Sequence, residues 1–305
     1  MKELIVILGP TASGKTHLAV QLASHMDGEI ISADSRQFYR GMDIGTGKDL
    51  DEYVVDGKQI LHHLIDIAEA GSRLNINDFH GLFHDALDKV LAKGKQPILC
   101  GGSGLYIETA VYGKELSAIP VKQELRDELR KLNGDQLVQR FENIDSRLKE
   151  RVDSSTKKRM IRAIEMDEFL QHNPWPEART LSTGVRWFGL NPPVEIRRKR
   201  ISNRLIHRLE IGMIEEVETL VAQGISHNSL DYYGLEYRWI SKYLLGEVSL
   251  DEMTKKLETE IHRFAKRQMT WFRRMEKKGT SIEWMEKPDV EFVLNSLGFT
   301  STRQE

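Results

Sequence analysis

Gly9-Pro10-Thr11-Ala12-Ser13-Gly14-Lys15-Thr16 is a complete G-x-x-x-x-G-K-T phosphate-binding loop, and its neighbours are the ones such a loop needs. The apolar run Leu4-Ile5-Val6-Ile7-Leu8 reads as a buried strand leading in. Leu18, Ala19, Leu22, Ala23 and Met26 follow at the spacing of one helix face. In that setting the glycines free successive backbone N–H groups to converge on phosphate oxygens at a helix N-terminus. Lys15 adds a point charge, and the Thr16 hydroxyl can hold a magnesium ion. A di- or triphosphate ligand is therefore expected.

Composition frames this reading without sharpening it. A chain of 305 residues with 40% hydrophobic residues can bury a sizeable core in one large or two modest domains. The formal charge of −2 does not by itself announce a nucleic-acid partner. Cys100 is the only cysteine, so there is neither a disulfide framework nor metal-ligand spacing. No apolar run approaches ~18 residues, and the N-terminus reads directly as strand and loop. The expected location is the cytoplasm, with no membrane contact.

Outward from the loop, strands and helices alternate. Glu29-Ile30-Ile31-Ser32-Ala33-Asp34-Ser35 is a short apolar run that delivers Asp34 to a strand's C-terminal end. Phe79, Leu82, Phe83, Ala86, Leu87, Val90 and Leu91 fall at helical spacing, and Gly94 stops that helix. Pro97-Ile98-Leu99-Cys100 is a further buried strand with a glycine-rich exit, Gly101-Gly102-Ser103-Gly104. Such alternation implies a parallel sheet with helices on both faces and a ligand beyond the C-terminal strand ends. Gly9–Thr16, Asp34 and Ser103 should meet there. The strand at 97–100 lacks the terminal Asp that a hydrolytic loop enzyme uses for magnesium. Asp66 is the nearest imitation and reads as a solvated strand-end carboxylate. The loop is thus suited to holding a diphosphate leaving group, although kinases of small molecules also lack the standard arrangement.

Positive charge collects late in the chain. One cluster is Arg197, Arg198, Lys199, Arg200, Arg204 and Arg208; another is Lys157, Lys158, Arg159 and Arg162. Between Ser249 and Lys278, a capping box at Ser249 and Glu252 opens a helix with the apolar stripe Met253, Leu257, Ile261, Phe264, Phe272 and Met275. Arg263, Lys266, Arg267, Arg273, Arg274, Lys277 and Lys278 stand off it. One charged helix face is usually only solvated, whereas three in a slightly acidic chain favour a polyanion. Tyr232, Tyr233, Tyr237, Trp239 and Trp271 are candidates for stacking on unpaired bases. Residues 114–184 read as a helical insertion, and Val185–Leu190 as a strand returning to the sheet. The expected architecture is α/β: a P-loop NTPase-like parallel sheet flanked by helices, formed by 1–113 and 185–305, with a mostly helical insertion domain at 114–184.

Together these segments resemble the bacterial tRNA dimethylallyltransferases. The resemblance rests on the loop at 9–16, on Ile31-Ser32-Ala33-Asp34-Ser35-Arg36-Gln37-Phe38-Tyr39 and on Gly41-Met42-Asp43-Ile44-Gly45-Thr46-Gly47-Lys48. It continues through His62–Asp66, Gly101–Tyr106, Arg159–Glu165 and Ala265–Phe272. It implies transfer of a dimethylallyl group from its diphosphate to the exocyclic amine of the adenosine 3′ of the anticodon. In that chemistry Lys15, Thr16 and Mg2+ would neutralise the diphosphate as the allylic C–O bond breaks. Asp34 would take the amine proton, Ser103 would hydrogen-bond the base, and Arg204 would approach the diphosphate. The resemblance also implies tRNA contacts at Asp34, Ser35, Arg36, Gln37 and Ser103 beside a flipped-out base. The run Lys158, Arg159, Met160, Ile161 and Arg162, with Lys266 and Arg267, would hold the anticodon stem-loop, and the enzyme would be a monomer.

The sequence departs from the family pattern in places. Leu61 replaces a common Pro, Arg208 a frequent Met and His262 a frequent Thr, and Tyr232–Tyr237 breaks the usual Gly-Tyr pairing. None of these is expected to touch the chemistry. Three rival activities share some of the features: an adenine-nucleotide isopentenyltransferase, a small-molecule kinase and a non-catalytic RNA-binding protein. The helical insertion and basic clusters speak against the first. Asp34 and Ser103 at adjacent strand ends speak against the last.

Overall fold

The structure is a computed structural model that describes residues 2–177 and 179–299. The strands are β1 (Leu4–Leu8), β2 (Gly28–Ser32), β3 (Val54–Val55), β4 (Lys58–Gln59), β5 (His62–His63), β6 (Gln96–Gly101), β7 (Val185–Leu190) and β8 (Glu283–Met285). β3 and β4 make a small antiparallel hairpin. The other six form one sheet, in the order β5-β2-β6-β1-β7-β8, with every pairing parallel.

β1 and β6 are buried along their whole length, as continuous apolar runs in a parallel sheet must be. Their side chains alternate between two cores. Leu4, Val6, Leu8, Ile31 and Leu99 enter one, and Ile5, Ile7, Ile30, Ile98 and Phe188 the other. In register, Ile5 lies beside Ile98 and Leu8 beside Gly101, while Ile31 lies beside Leu99. Neighbouring strands β2, β6 and β1 therefore end side by side. Their exits carry Asp34, Ser103 and the phosphate-binding loop.

Two compact units divide the chain. Residues up to Val111, with those from Leu181 onward, form one, and Tyr112–Thr180 the other. The first unit holds α1 (Lys15–Met26), α2 (Ile76–Ala92) and nearly all of α3 (Gly104–Tyr112). The second holds α4 (Gln123–Lys131), α5 (Gly134–Glu142), α6 (Ser146–Lys149) and α7 (Lys157–Leu170). These close on their own core of Leu125, Leu129, Leu137, Phe141, Leu148, Ile161 and Ile164. The first unit resumes with α8 (Val194–Glu210), α9 (Met213–Ala222), α10 (His227–Tyr233), α11 (Leu235–Leu244), α12 (Leu250–Lys277) and α13 (Val290–Ser296).

α12 begins at the expected capping box. Ser249 accepts from the Glu252 N–H at 3.3 Å, and Glu252 Oε2 accepts from the Ser249 N–H at 3.0 Å. Its buried stripe is Met253, Leu257, Ile261, Ala265, Met269, Phe272 and Met275. Phe264, placed in that stripe by the sequence, lies off it and is 37% exposed. Spacing explains the correction, because steps of four from Ile261 pass through Ala265 and Met269, one position beyond Phe264. No helix among the described residues is long and apolar enough to cross a membrane.

Candidate active site

Between β1 and α1 the loop turns through two left-handed residues, Ala12 (φ 59°) and Gly14 (φ 92°), and Gly14 is the N-cap of α1. This conformation aims the first N–H groups of α1 at the cleft beyond the sheet. Lys15 and Thr16 line that cleft. Desolvation lowers the Lys15 ammonium from its ordinary value, with Cys100 and Asp34 opposing and Arg204 assisting. Cys100, at the end of β6, has its thiol pushed up to about 12 by burial.

Asp34 leaves β2 in a tight turn. Its Oδ1 accepts from the Arg36 N–H at 3.1 Å, and its carbonyl accepts from the Gln37 N–H at 3.1 Å. Gln37 is itself fixed: Ser32 Oγ donates to its Oε1 at 2.8 Å, and its Nε2 donates to the Gly47 carbonyl at 3.2 Å. Arg36 donates to the Tyr232 carbonyl, and Ser35 hydrogen-bonds Tyr106. Ser103 precedes α3, where its carbonyl accepts from Tyr106 and Ile107.

A loop at 43–48 roofs the cleft, and a single carboxylate holds it. Glu216 accepts from the N–H groups of Asp43 and Ile44 at 2.7 Å, from Gly45 at 3.0 Å and from the Tyr237 hydroxyl at 2.8 Å. Lys48 is fully buried beneath it. Its Nζ donates to the Tyr39 carbonyl at 2.7 Å and pairs with Asp43 and Asp66. Asp66 is therefore not the solvated carboxylate that the sequence suggested, but the counter-ion of a buried lysine.

One cavity of about 380 Å³ collects these parts. Thr11, Lys15, Thr16, Asp34, Ser35, Arg36, Gln37 and Ser103 line it, with Arg204, Arg208, Glu236, Phe264, Arg267 and Gln268 opposite or beside them. The arrangement joins a phosphate cradle to a carboxylate and a hydroxyl in one enclosed space, which suits displacement of a phosphate leaving group by a nucleophile.

The family model described as IPP transferase matches residues 37–275. The chain belongs to the IPP transferase family. A curated relative from Bacteroides fragilis, "tRNA dimethylallyltransferase 2", is 46% identical over 97% of this chain and 98% of its own length. A second of that name, from Phocaeicola vulgatus, is 47% identical over 97% of both chains. Among solved structures, the full-length tRNA isopentenylpyrophosphate transferase of Bacillus halodurans superposes with a TM-score of 0.70 at 29% identity, covering 98% of this chain and 96% of its own. A eukaryotic dimethylallyltransferase acting on tRNA shares the fold, with a TM-score of 0.77 at 20% identity, over the whole chain and 82% of its own.

Set against this IPP transferase cleft, several sequence-based placements change. Arg208, expected to stay clear of the chemistry, lines the cavity as a buried cation. Its position follows from α8, where Arg197, Ile201, Leu205 and Arg208 form the buried stripe; the 201–205–208 spacing carried that signal. Tyr233 and Tyr237, read as base-stacking candidates, are only 1% exposed and are bound through their hydroxyls to Gly71 and Glu216. Trp271 packs on Gly104 and donates its Nε1 to Glu108 at 2.7 Å. Phe264 lines the cleft as well, beside Tyr53 and the buried Tyr233.

Lys266 and Arg267, read as a pair, face different spaces. Arg267 lines the cleft, whereas Lys266 lines a separate groove with Arg197, Arg198, Arg263 and Arg273. In the helical unit, Ile161 is buried in the small core and Met160 packs against it. Arg162 donates to the Ile119 and Pro120 carbonyls and to Glu165, and Arg159 pairs with Asp153 at 2.6 Å. Lys158 is exposed.

Proposed function

We propose that this chain transfers the dimethylallyl group of dimethylallyl diphosphate to the exocyclic amine of an adenosine in tRNA, the one 3′ of the anticodon, releasing diphosphate. The observation that carries this reading is the convergence of the phosphate-binding loop, Asp34 and Ser103 from adjacent strand ends on one cavity. Family membership and the names of the relatives supply the acceptor.

In this reaction a C–N bond forms between the amine and the allylic carbon as the C–O bond to diphosphate breaks. The loop N–H groups and Lys15 take up the charge that develops on the leaving oxygens. The amine loses a proton as it attacks, and the Asp34 carboxylate is the base that accepts it. The turn at 34–37 fixes that carboxylate through its Oδ1. Ser103, one strand away, orients the base by hydrogen bonding. The amine must leave the base stack to reach this depth, and Arg36 and Arg267 at the cleft lining would grip the flanking backbone.

Magnesium fits the residues present. Thr16 shares a recess with Asp49 and Glu52, and no cluster of three or more His, Cys, Asp or Glu ligands exists among the described residues. Such a sparse set suits an ion that keeps its waters and leans on phosphate oxygens. Bound there, Mg2+ would add Lewis-acid stabilisation of the departing diphosphate. The stem-loop of tRNA would be held by phosphate contacts, Lys158 and Lys266 among them, and the enzyme would act as a cytoplasmic monomer.

Purified protein with magnesium and radiolabelled dimethylallyl diphosphate, offered unmodified tRNA or free AMP, tests the reading. Label confined to tRNA supports it. Label in AMP would make the chain an adenine-nucleotide isopentenyltransferase, and label in neither would return the kinase reading.

A further inference from the structure

Three cations surround the space in front of the phosphate-binding loop: Lys15, Arg204 and Arg208. Their partners differ. Arg204 is paired with Asp49, so its charge is matched within the protein. Among the described residues Arg208 finds no hydrogen-bond partner, although it is only 9% exposed and its Nη2 is sealed from solvent. The nearest carboxylate oxygen, Asp49 Oδ1, is 3.9 Å away and already serves Arg204. Glu236 lies on the same lining, but burial pushes its carboxyl up from the ordinary range, which weakens it as a counter-charge.

The two guanidinium groups are also drawn together. A Cβ on Gly47 would stand 1.5 Å from Arg208 Nη2 and 2.5 Å from Arg204 Nη2, so both press on that one residue. Gly47 has φ +64°, and its missing side chain makes the room. Burial, with Arg204 adding to it, lowers the Arg208 guanidinium to about 10. Two like charges held side by side, one of them without an acceptor, call for an anion that the protein does not supply. The ligand that must sit between the loop and these arginines is the diphosphate.

We propose that Arg208 is a second arginine grip on the diphosphate, opposite the phosphate-binding loop, and that it rather than Arg204 brings the unmatched positive charge. This rests on the prenyl-transfer reading above. The planar fork of Arg208 would bind phosphate oxygens in two-pronged fashion, sharing the charge that grows there as the allylic bond breaks. Gly47, which carries no side chain, leaves the room that the guanidinium occupies.

The probe is inorganic pyrophosphate, titrated calorimetrically into the full-length protein in magnesium buffer, with tRNA affinity measured in parallel. Arg208→Met should weaken pyrophosphate binding about tenfold or more, the size of one lost charge-assisted contact, and leave tRNA affinity unchanged. The same variant should raise KM for dimethylallyl diphosphate. Unchanged pyrophosphate affinity, with only the melting temperature lowered, would make Arg208 structural and overturn the proposal. Should Arg208→Met fail to fold, Arg208→Lys keeps the charge and loses the fork. Intermediate pyrophosphate affinity then supports the grip, and wild-type affinity overturns it. Wild-type protein that binds pyrophosphate but transfers no label to tRNA would sink the prenyl-transfer reading and leave the Arg208 result to stand by itself.

Discussion

Gln268 accepts a hydrogen bond from the Thr11 N–H at 2.9 Å, and its Nε2 donates to the Gly102 carbonyl at the same distance. A residue of α12 therefore ties the phosphate-binding loop to the exit of β6. The amide is buried, and the two groups it serves belong to the two loops that carry Lys15 and Ser103. One side chain thus bridges the two loops.

Replacing Gln268 with Leu strands a backbone donor and a backbone acceptor at once. Each buried group left without a partner costs about 1–3 kcal/mol, so the melting temperature should fall by several degrees. The loop should also hold diphosphate less well, which raises KM for the allylic substrate more than it changes kcat. A melt and a steady-state series on the variant check both, and an unchanged KM would mean that the loop keeps its shape without the tie.

Asp34→Asn keeps the turn at 34–37, because an amide oxygen can still accept from the Arg36 N–H. It removes the carboxylate proposed as the base. Turnover should drop by about 10²-fold or more while tRNA affinity holds, since general-base loss has that scale. Single-turnover transfer with saturating substrates is the measurement, and a rate near wild type would take Asp34 out of the proton transfer.

The split between Lys266 and Arg267 gives a contrast that a charge count cannot. Lys266→Ala should weaken tRNA binding and lower its salt slope by about one, if the proposed phosphate contact in the outer groove is made there. Arg267→Ala, at the cleft, should chiefly slow transfer. Binding isotherms at several salt concentrations, read beside turnover, separate the two. Identical behaviour of both variants would contradict their placement on different cavities.

The parallel sheet and the meeting of Gly9–Thr16, Asp34 and Ser103 were legible because local signals agree: apolar runs bounded by glycine, with helical periodicity between them. What escaped depended on tertiary packing. Arg208 reads as one more solvated cation until α8 is seen to bury 197, 201, 205 and 208 on one stripe. Gln268 sits inside a quoted motif, yet nothing in the sequence says that it reaches Thr11 from 257 positions away. Phe264 was misassigned because Ala265, small and unremarked, occupies the core position. Tyr233 and Tyr237 look like stacking platforms in a basic neighbourhood, and only their hydroxyl partners show them to be part of the core.

Glu236 provides the pH dependence. Burial raises its carboxyl in the folded protein, against the opposing field of Arg208. A raised carboxyl binds its proton more tightly when folded than when unfolded. The native state is thus favoured fully below the ordinary Glu range and loses that advantage as pH rises through it, while the unfolded chain ionises first. Glu236→Gln cannot ionise and escapes this loss. Its melting temperature relative to wild type should therefore climb as pH is raised from about 4.3, the ordinary value for Glu, toward neutrality. Melts of both proteins across that interval decide the matter: a difference that stays flat or shrinks with rising pH would show that Arg208 stabilises the Glu236 carboxylate by more than burial costs it.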